Sequence, residues 1–145
     1  LDGGDAEPIA MEHVILLVSA LVHAADLSNP VRPFDVARSW AVALSEEFKI
    51  QGEKEAALGL PVSPLAKSAE SEIKIAGGEI WFIGKVIIPF WEVMVEIIPA
   101  LEVLTDQAKS NIEEWKRKKM VMEDDAAAAA AAAPSPGEGS EEKAA

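Results

Sequence analysis

The apolar positions fall into four stretches separated by proline- or glycine-bearing breaks. From Ile9 to Ala25 the chain is apolar nearly all round, with Val14, Ile15, Leu16, Leu17, Val18, Leu21 and Val22 close together. This pattern predicts a helix central to a bundle rather than on its surface. The polar segment 26-DLSNPVRP-33 breaks it, because Pro30 and Pro33 push Asn29 and Arg32 out of the α region. Asp35 is then expected to cap a second helix running to about Leu58, with Val36, Trp40, Ala43, Leu44, Phe48 and Gln51 on one face and Gly59 as its stop. A third segment is expected from about Ser68 to Ile88, with a soft point at Gly77-Gly78. Pro89 kinks or restarts it. Apolar positions continue to Pro99, and a last helix from about Ala100 to Met120 carries Leu101, Leu104, Ala108, Ile112 and Trp115 on one stripe.

These elements predict an all-α helical bundle over residues 1–122. Residues 123–145 change composition. Eight alanines are followed by 134-PSPGEGSEEKAA-145, an acidic end that buries little apolar surface and is expected to be disordered. The alanines favour transient helix.

Composition narrows the function classes. The formal net charge is −12, of which the six acids and one lysine after Met122 contribute −5. Such a chain repels nucleic acid and anionic membrane, and the short basic run 116-KRKK-119 is followed at once by 123-EDD-125. No nucleic-acid partner is therefore expected. Cysteine is absent, which excludes a disulfide framework and thiolate chemistry. That absence fits a reducing compartment, and the expected location is the cytoplasm. The longest apolar region, residues 80–101, holds Lys85, Glu92, Glu96 and two prolines, so buried helices suit it better than a membrane span. The first residue is Leu, and the expectation is a piece of something longer.

Candidate chemistry concentrates in the junction. His23 and Asp26, three residues apart at a helix end, are able to face one site and are good ligands for a divalent metal. A metal site needs more ligands than two. On spacing alone the simpler reading is His23 against the last carbonyls of its helix and Asp26 in an Asx-turn. Asn29 suits a turn before Pro30. Trp40, Leu44, Phe48, Phe82, Trp91 and Trp115 read individually as core. There is no phosphate-binding glycine loop, no Ser-His-Asp order and no CxxC. The residues by themselves reach a helical domain with one unusual polar junction, and no reaction.

A resemblance goes further. The stretch 22-VHAADLSNPVRP-33 resembles the H-x-A-D-L-S-N-P segment of class I cyclic nucleotide phosphodiesterases. Residues 40-WAVALSEEFKIQGEKE-55, 59-GLPVSP-64 and 79-EIWFIGKVIIPFWE-92 resemble later segments of that family in the same order, and Asn111 with Trp115 echoes its closing N-x-x-W with one extra residue. The likeness covers about Ile9 to Met120.

The resemblance implies the C-terminal part of an all-helical catalytic domain that hydrolyses cyclic AMP or cyclic GMP to the 5′-monophosphate at a two-metal site. The two divalent ions are expected to be Zn²⁺ with Mg²⁺ or Mn²⁺. Asp26 would be a metal ligand and His23 a supporting residue. Asn29 would face the purine, and Leu44, Phe48 and Phe82 would form apolar walls around the base. The remaining metal ligands and the general acid would come from the missing N-terminal part of the same domain, so this chain alone is expected to be inactive. Glu79 stands where the family has its purine-binding glutamine, and Trp81 where it has a glycine. Lys85 replaces a residue normally uncharged or acidic, and the loop before Gly77 is longer. An ionised Glu accepts but cannot donate, which would weaken purine binding or change its preference. These departures motivate an alternative, a degenerate non-catalytic helical binding or regulatory module.

Overall fold

The computed structural model describes residues 9–132. Six α-helices make the fold, and no strand is present among the described residues. They are α1 (Met11–Asp26), α2 (Phe34–Ala57), α3 (Pro64–Ser68), α4 (Glu72–Phe82), α5 (Ile88–Ile97) and α6 (Glu102–Ala132). The longest, α6, packs along α4, α5 and the turn at Asn29–Val31. The core forms where these meet, around Ile83, Ile87, Trp91, Met94, Ala108 and Trp115.

The helix α1 forms as expected but is not central. Only Ala24 is buried in it, while Ile15, Leu16 and Val22 are 60%, 68% and 65% exposed. Its all-round apolar character signalled a covering layer, and the described residues supply one only near its C-terminal end, where Ala20, Ala24 and Leu27 join the core.

The helix α2 also departs from its expected face. Its buried residues are the small ones, Ala37, Ala41 and Gly52, while Val36 and Trp40 are 45% and 50% exposed. Close approach explains the choice: a Cβ at Gly52 would lie 2.5 Å from the Ala66 Cβ of α3. Only a hydrogen at that position lets the two helices touch. Gly52→Ala should therefore cost about 1–3 kcal/mol through overpacking, read as a lower urea midpoint; an unchanged midpoint would show that α3 moves aside freely.

Asp35 is not the cap of α2. The helix starts one residue earlier, with Pro33 in the cap position and no side-chain cap bond. Phe34 is drawn into the first turn by its edge-on contact with Trp115, at 5.2 Å between ring centroids. Asp35 remains in the first turn, where its charge complements the helix dipole. At the other end Gly59 adopts φ 68°, its N–H bonds Ala56 O, and Leu60 N–H reaches Glu55 O. These bonds make the Schellman stop that the glycine promised.

The expected continuous segment from Ser68 to Ile88 is divided. Ser63 Oγ accepts from Leu65 N–H to start α3, and Ser71 Oγ accepts from Lys74 N–H to start α4. The Gly77-Gly78 pair lies inside α4 without a break. The irregularity falls instead at Ile83–Ile87, a π-helical turn in which Ile88 N–H bonds Ile83 O. Pro89 accounts for it. Proline has no N–H and its ring collides with the carbonyl four residues back in a regular α-helix. A wider turn relieves that collision.

The helix α6 runs past the expected end at Met120 and through the boundary after Met122, so residues 123–132 are helical. The Lys119–Glu123 ion pair at i,i+4 spans that boundary. Alanine, the best helix former, carries the helix on to Ala132. The expected disorder of 133–145 lies outside the described residues.

Candidate functional site

The chain leaves α1 through a tight sequence of turns. Leu27 N–H bonds His23 O, Ser28 N–H bonds Ala25 O, and a 3₁₀ turn covers Asn29–Val31. Within it Pro30 and Val31 are buried. The turn is held from below by Asn111 of α6, which is fully buried. Its Nδ2 donates to Pro30 O and Arg32 O, both at 2.8 Å, and its Oδ1 accepts from Gln107 Nε2 at 2.9 Å. One amide thus satisfies two junction carbonyls that have no helical partner. Asn111 is a site-shaping residue that local sequence reasoning does not reveal, because its partners lie 81 and 79 residues away.

Below the junction lies a cavity of about 560 Å³, within the range typical of small-molecule sites. It brings together Asp26 and Asn29 from the junction, Leu44 from α2, and Glu79 and Phe82 from α4. Arg32 and Trp40, which sequence reasoning did not select, also line it. The bulky outer face of α2 that failed to enter the core is therefore part of this wall. Phe48 is half-buried on α2 one turn beyond Leu44 and does not line the cavity. His23 is exposed and lines a shallower opening on the other side of Asp26, with its ring 5.2 Å from Phe90 in an edge-on contact. Trp81 is 63% exposed and does not line the cavity, so its indole does not fill it.

Glu79 enters this cavity from α4 as a largely desolvated carboxyl. Burial lifts its carboxyl from 4.5 to about 7. A neutral carboxylic acid both donates and accepts, as an amide does, whereas the ionised form only accepts. Near neutral pH the residue thus divides its time between the two behaviours.

Asp26 is exposed and able to accept a cation. Among the described residues no three His, Cys, Asp or Glu side chains come together as a metal site requires. One carboxylate does not hold two divalent ions, so these residues alone do not fit a two-metal centre.

The model of the 3′5′-cyclic nucleotide phosphodiesterase family matches residues 5–108. The chain belongs to this family. It is 36% identical over 110 residues to the human high affinity cGMP-specific 3′,5′-cyclic phosphodiesterase 9A, covering 73% of this chain and 18% of that protein. It is 29% identical over 129 residues to a probable 3′,5′-cyclic-AMP phosphodiesterase of Caenorhabditis elegans, covering 82% and 19% respectively. The fold matches the crystal structure of the phosphodiesterase domain of Salpingoeca rosetta rhodopsin phosphodiesterase with a TM-score of 0.74 and 32% identity, over 79% of this chain and 34% of that one. The chain thus spans less than a fifth of the length of these curated relatives. The phosphodiesterase match ends at residue 108, before Asn111 and Trp115. No helix among the described residues is long and apolar enough to cross a membrane.

Proposed function

We propose that this chain is the purine-side portion of a cyclic nucleotide phosphodiesterase that hydrolyses cyclic AMP, cyclic GMP or both to the 5′-monophosphate. The observation that carries the reading is the convergence of Asp26, Asn29, Leu44, Glu79 and Phe82 on one cavity in a chain of this family. Asp26 contributes one ligand to a centre of two divalent ions, Zn²⁺ with Mg²⁺ or Mn²⁺, whose other ligands lie outside this chain. Such ions hold phosphate oxygens and lower the pKa of a bound water. Asn29 and Glu79 face the base, Leu44 and Phe82 wall it, and Phe48 extends that wall beyond the cavity's edge. His23 supports Asp26 from the shallower side. The location that suits this activity is the cytoplasm.

The test uses a polypeptide in which this chain follows the N-terminal part of the family's domain, with its remaining metal ligands. Asp26→Ala there should lower turnover on the order of a hundredfold or more, as loss of a charge-stabilising group does. Full turnover in the variant would remove Asp26 from the metal centre. A second reading, a non-catalytic binding module, rests on Glu79 and Trp81, which depart from the residues the family resemblance leads one to expect. It predicts cyclic nucleotide binding without turnover even when the remaining metal ligands are present.

A further inference from the structure

A second cavity of about 240 Å³ lies between α2, the start of α4, and α6. It is separate from the one beneath the junction. At 100° per residue, Arg38 and Val42 lie roughly opposite Trp40 and Leu44 around α2. Val42, Ile75, Val121 and Met122 give it apolar walls.

Its charge runs against that of the whole chain. The sequence has 25 acids and 13 Lys and Arg residues, yet this cavity meets Arg38, Arg117 and Lys118 against one acid, Glu72. Arg117 is already engaged, with its Nη2 2.7 Å from Glu114. Arg38 and Lys118 have no carboxylate within ion-pair distance among the described residues. Lys118 instead lies 5.7 Å from the centroid of the Phe34 ring. The wall also includes Trp115, 3% exposed, whose indole N–H is buried and has no acceptor among the described residues. An unmatched buried donor is costly, and an incoming acceptor would relieve it.

We propose that this cavity is a second ligand site that takes a small amphipathic monocarboxylate. Its carboxylate meets Arg38 and Lys118, and its apolar body lies along Val42, Ile75 and Met122. The cavity is smaller than the roughly 300–1,000 Å³ of drug-sized sites, which limits the ligand to a short chain or a single ring. With Arg117 paired to Glu114, Arg38 and Lys118 against Glu72 leave one net positive charge on the lining, which a monoanion matches.

The test uses the 145-residue chain, nitrogen-labelled, with sodium octanoate and octanol as probes. The Trp115 indole resonance, assigned through its contact with the Phe34 ring, should move saturably with octanoate and stay in place with octanol. The double substitution Arg38→Gln, Lys118→Gln removes two surface charges from an intact core, and circular dichroism checks that the helices remain. It should raise the octanoate Kd roughly tenfold or more, as loss of charged partners does. Three results would overturn the proposal. The first is no saturable shift at millimolar octanoate. The second is an equal response to octanol or in the double variant, which would mean an apolar void with no role for charge. The third is movement of the Trp40 resonance alone, which would put the ligand in the cavity beneath the junction.

Discussion

Asn111→Ala should destabilise the folded chain by about 2–4 kcal/mol. The side chain is fully buried and its amide is the partner of Pro30 O and Arg32 O. Removing it strands two carbonyls, and each unmet buried acceptor costs roughly 1–3 kcal/mol. Arg32 O is only partly buried and recovers some water, which sets the upper figure below the simple sum. Asn111→Asp is the sharper control. It has nearly the same shape, but an ionised carboxylate cannot donate and would place a negative charge against two carbonyl oxygens. Aspartate should therefore destabilise at least as much as alanine. Urea unfolding of the three proteins reads the effect, and an aspartate variant as stable as the parent would show that the amide is not the clamp. Around the junction, the same loss should appear as faster hydrogen exchange at Val31 and Arg32, whose N–H groups close the 3₁₀ turn.

Glu79→Gln should leave stability nearly unchanged in acid and raise it in mild base. The Glu79 carboxyl is raised from 4.5 to about 7 by burial, so the folded state disfavours its ionised form. Below pH 4.5 the group is protonated in folded and unfolded chains alike, and it exacts no penalty. As pH rises from 4.5 to 7 the unfolded chain loses its proton first, and the folded state is progressively destabilised. Above pH 7 the penalty is complete, at about 3 kcal/mol. Glutamine keeps the shape and removes the titration. The stability difference between variant and parent should therefore be small at pH 4.5 and grow to about 3 kcal/mol by pH 8. A pH-independent difference would mean that Glu79 is solvated rather than desolvated in the cavity.

The helices were legible in the sequence because their ends are written locally. Gly59 stops α2, the prolines break the junction, and the stripe from Leu101 to Trp115 places α6 against the core. Ser71 before Glu72 was an available start signal for α4 that the apolar run beyond it obscured. Which face of α2 is buried was not legible. Hydrophobicity favours Trp40 and Leu44, but Ala37, Ala41 and Gly52 are the buried residues, and the close approach that fixes Gly52 is a property of α2 and α3 together. The π turn was hidden for a related reason. Pro89 announces a fault, and the backbone absorbs it several residues earlier.

The site was legible in a different sense. Spacing suggested only that His23 and Asp26 share a helix end, and the structure puts both on the shallower opening, with His23 also against Phe90 and Asp26 also at the cavity. Resemblance, not periodicity, picked out Asn29, Leu44, Glu79 and Phe82, and these do converge. Phe48 does not join them, since α2 carries it past the cavity's edge. The displaced acidity of Glu79 follows from burial, which no single residue of the sequence declares.

The bond between Asn111 and the junction spans 81 residues of chain. A ribosome makes protein from the N-terminus at roughly 5–20 residues per second, so the turn beside Asp26 leaves the tunnel several seconds before its clamp is synthesised. Closing so long a loop carries an entropic cost that must be met before the contact repays it. The helices α1 and α2 can wind as they emerge, while the shape of the cavity waits for α6. Truncations before Asn111 would then retain helical content and lose the ordered junction. The stretch around Asn111, far from Asp26 in sequence, sets when this half of the pocket comes into being.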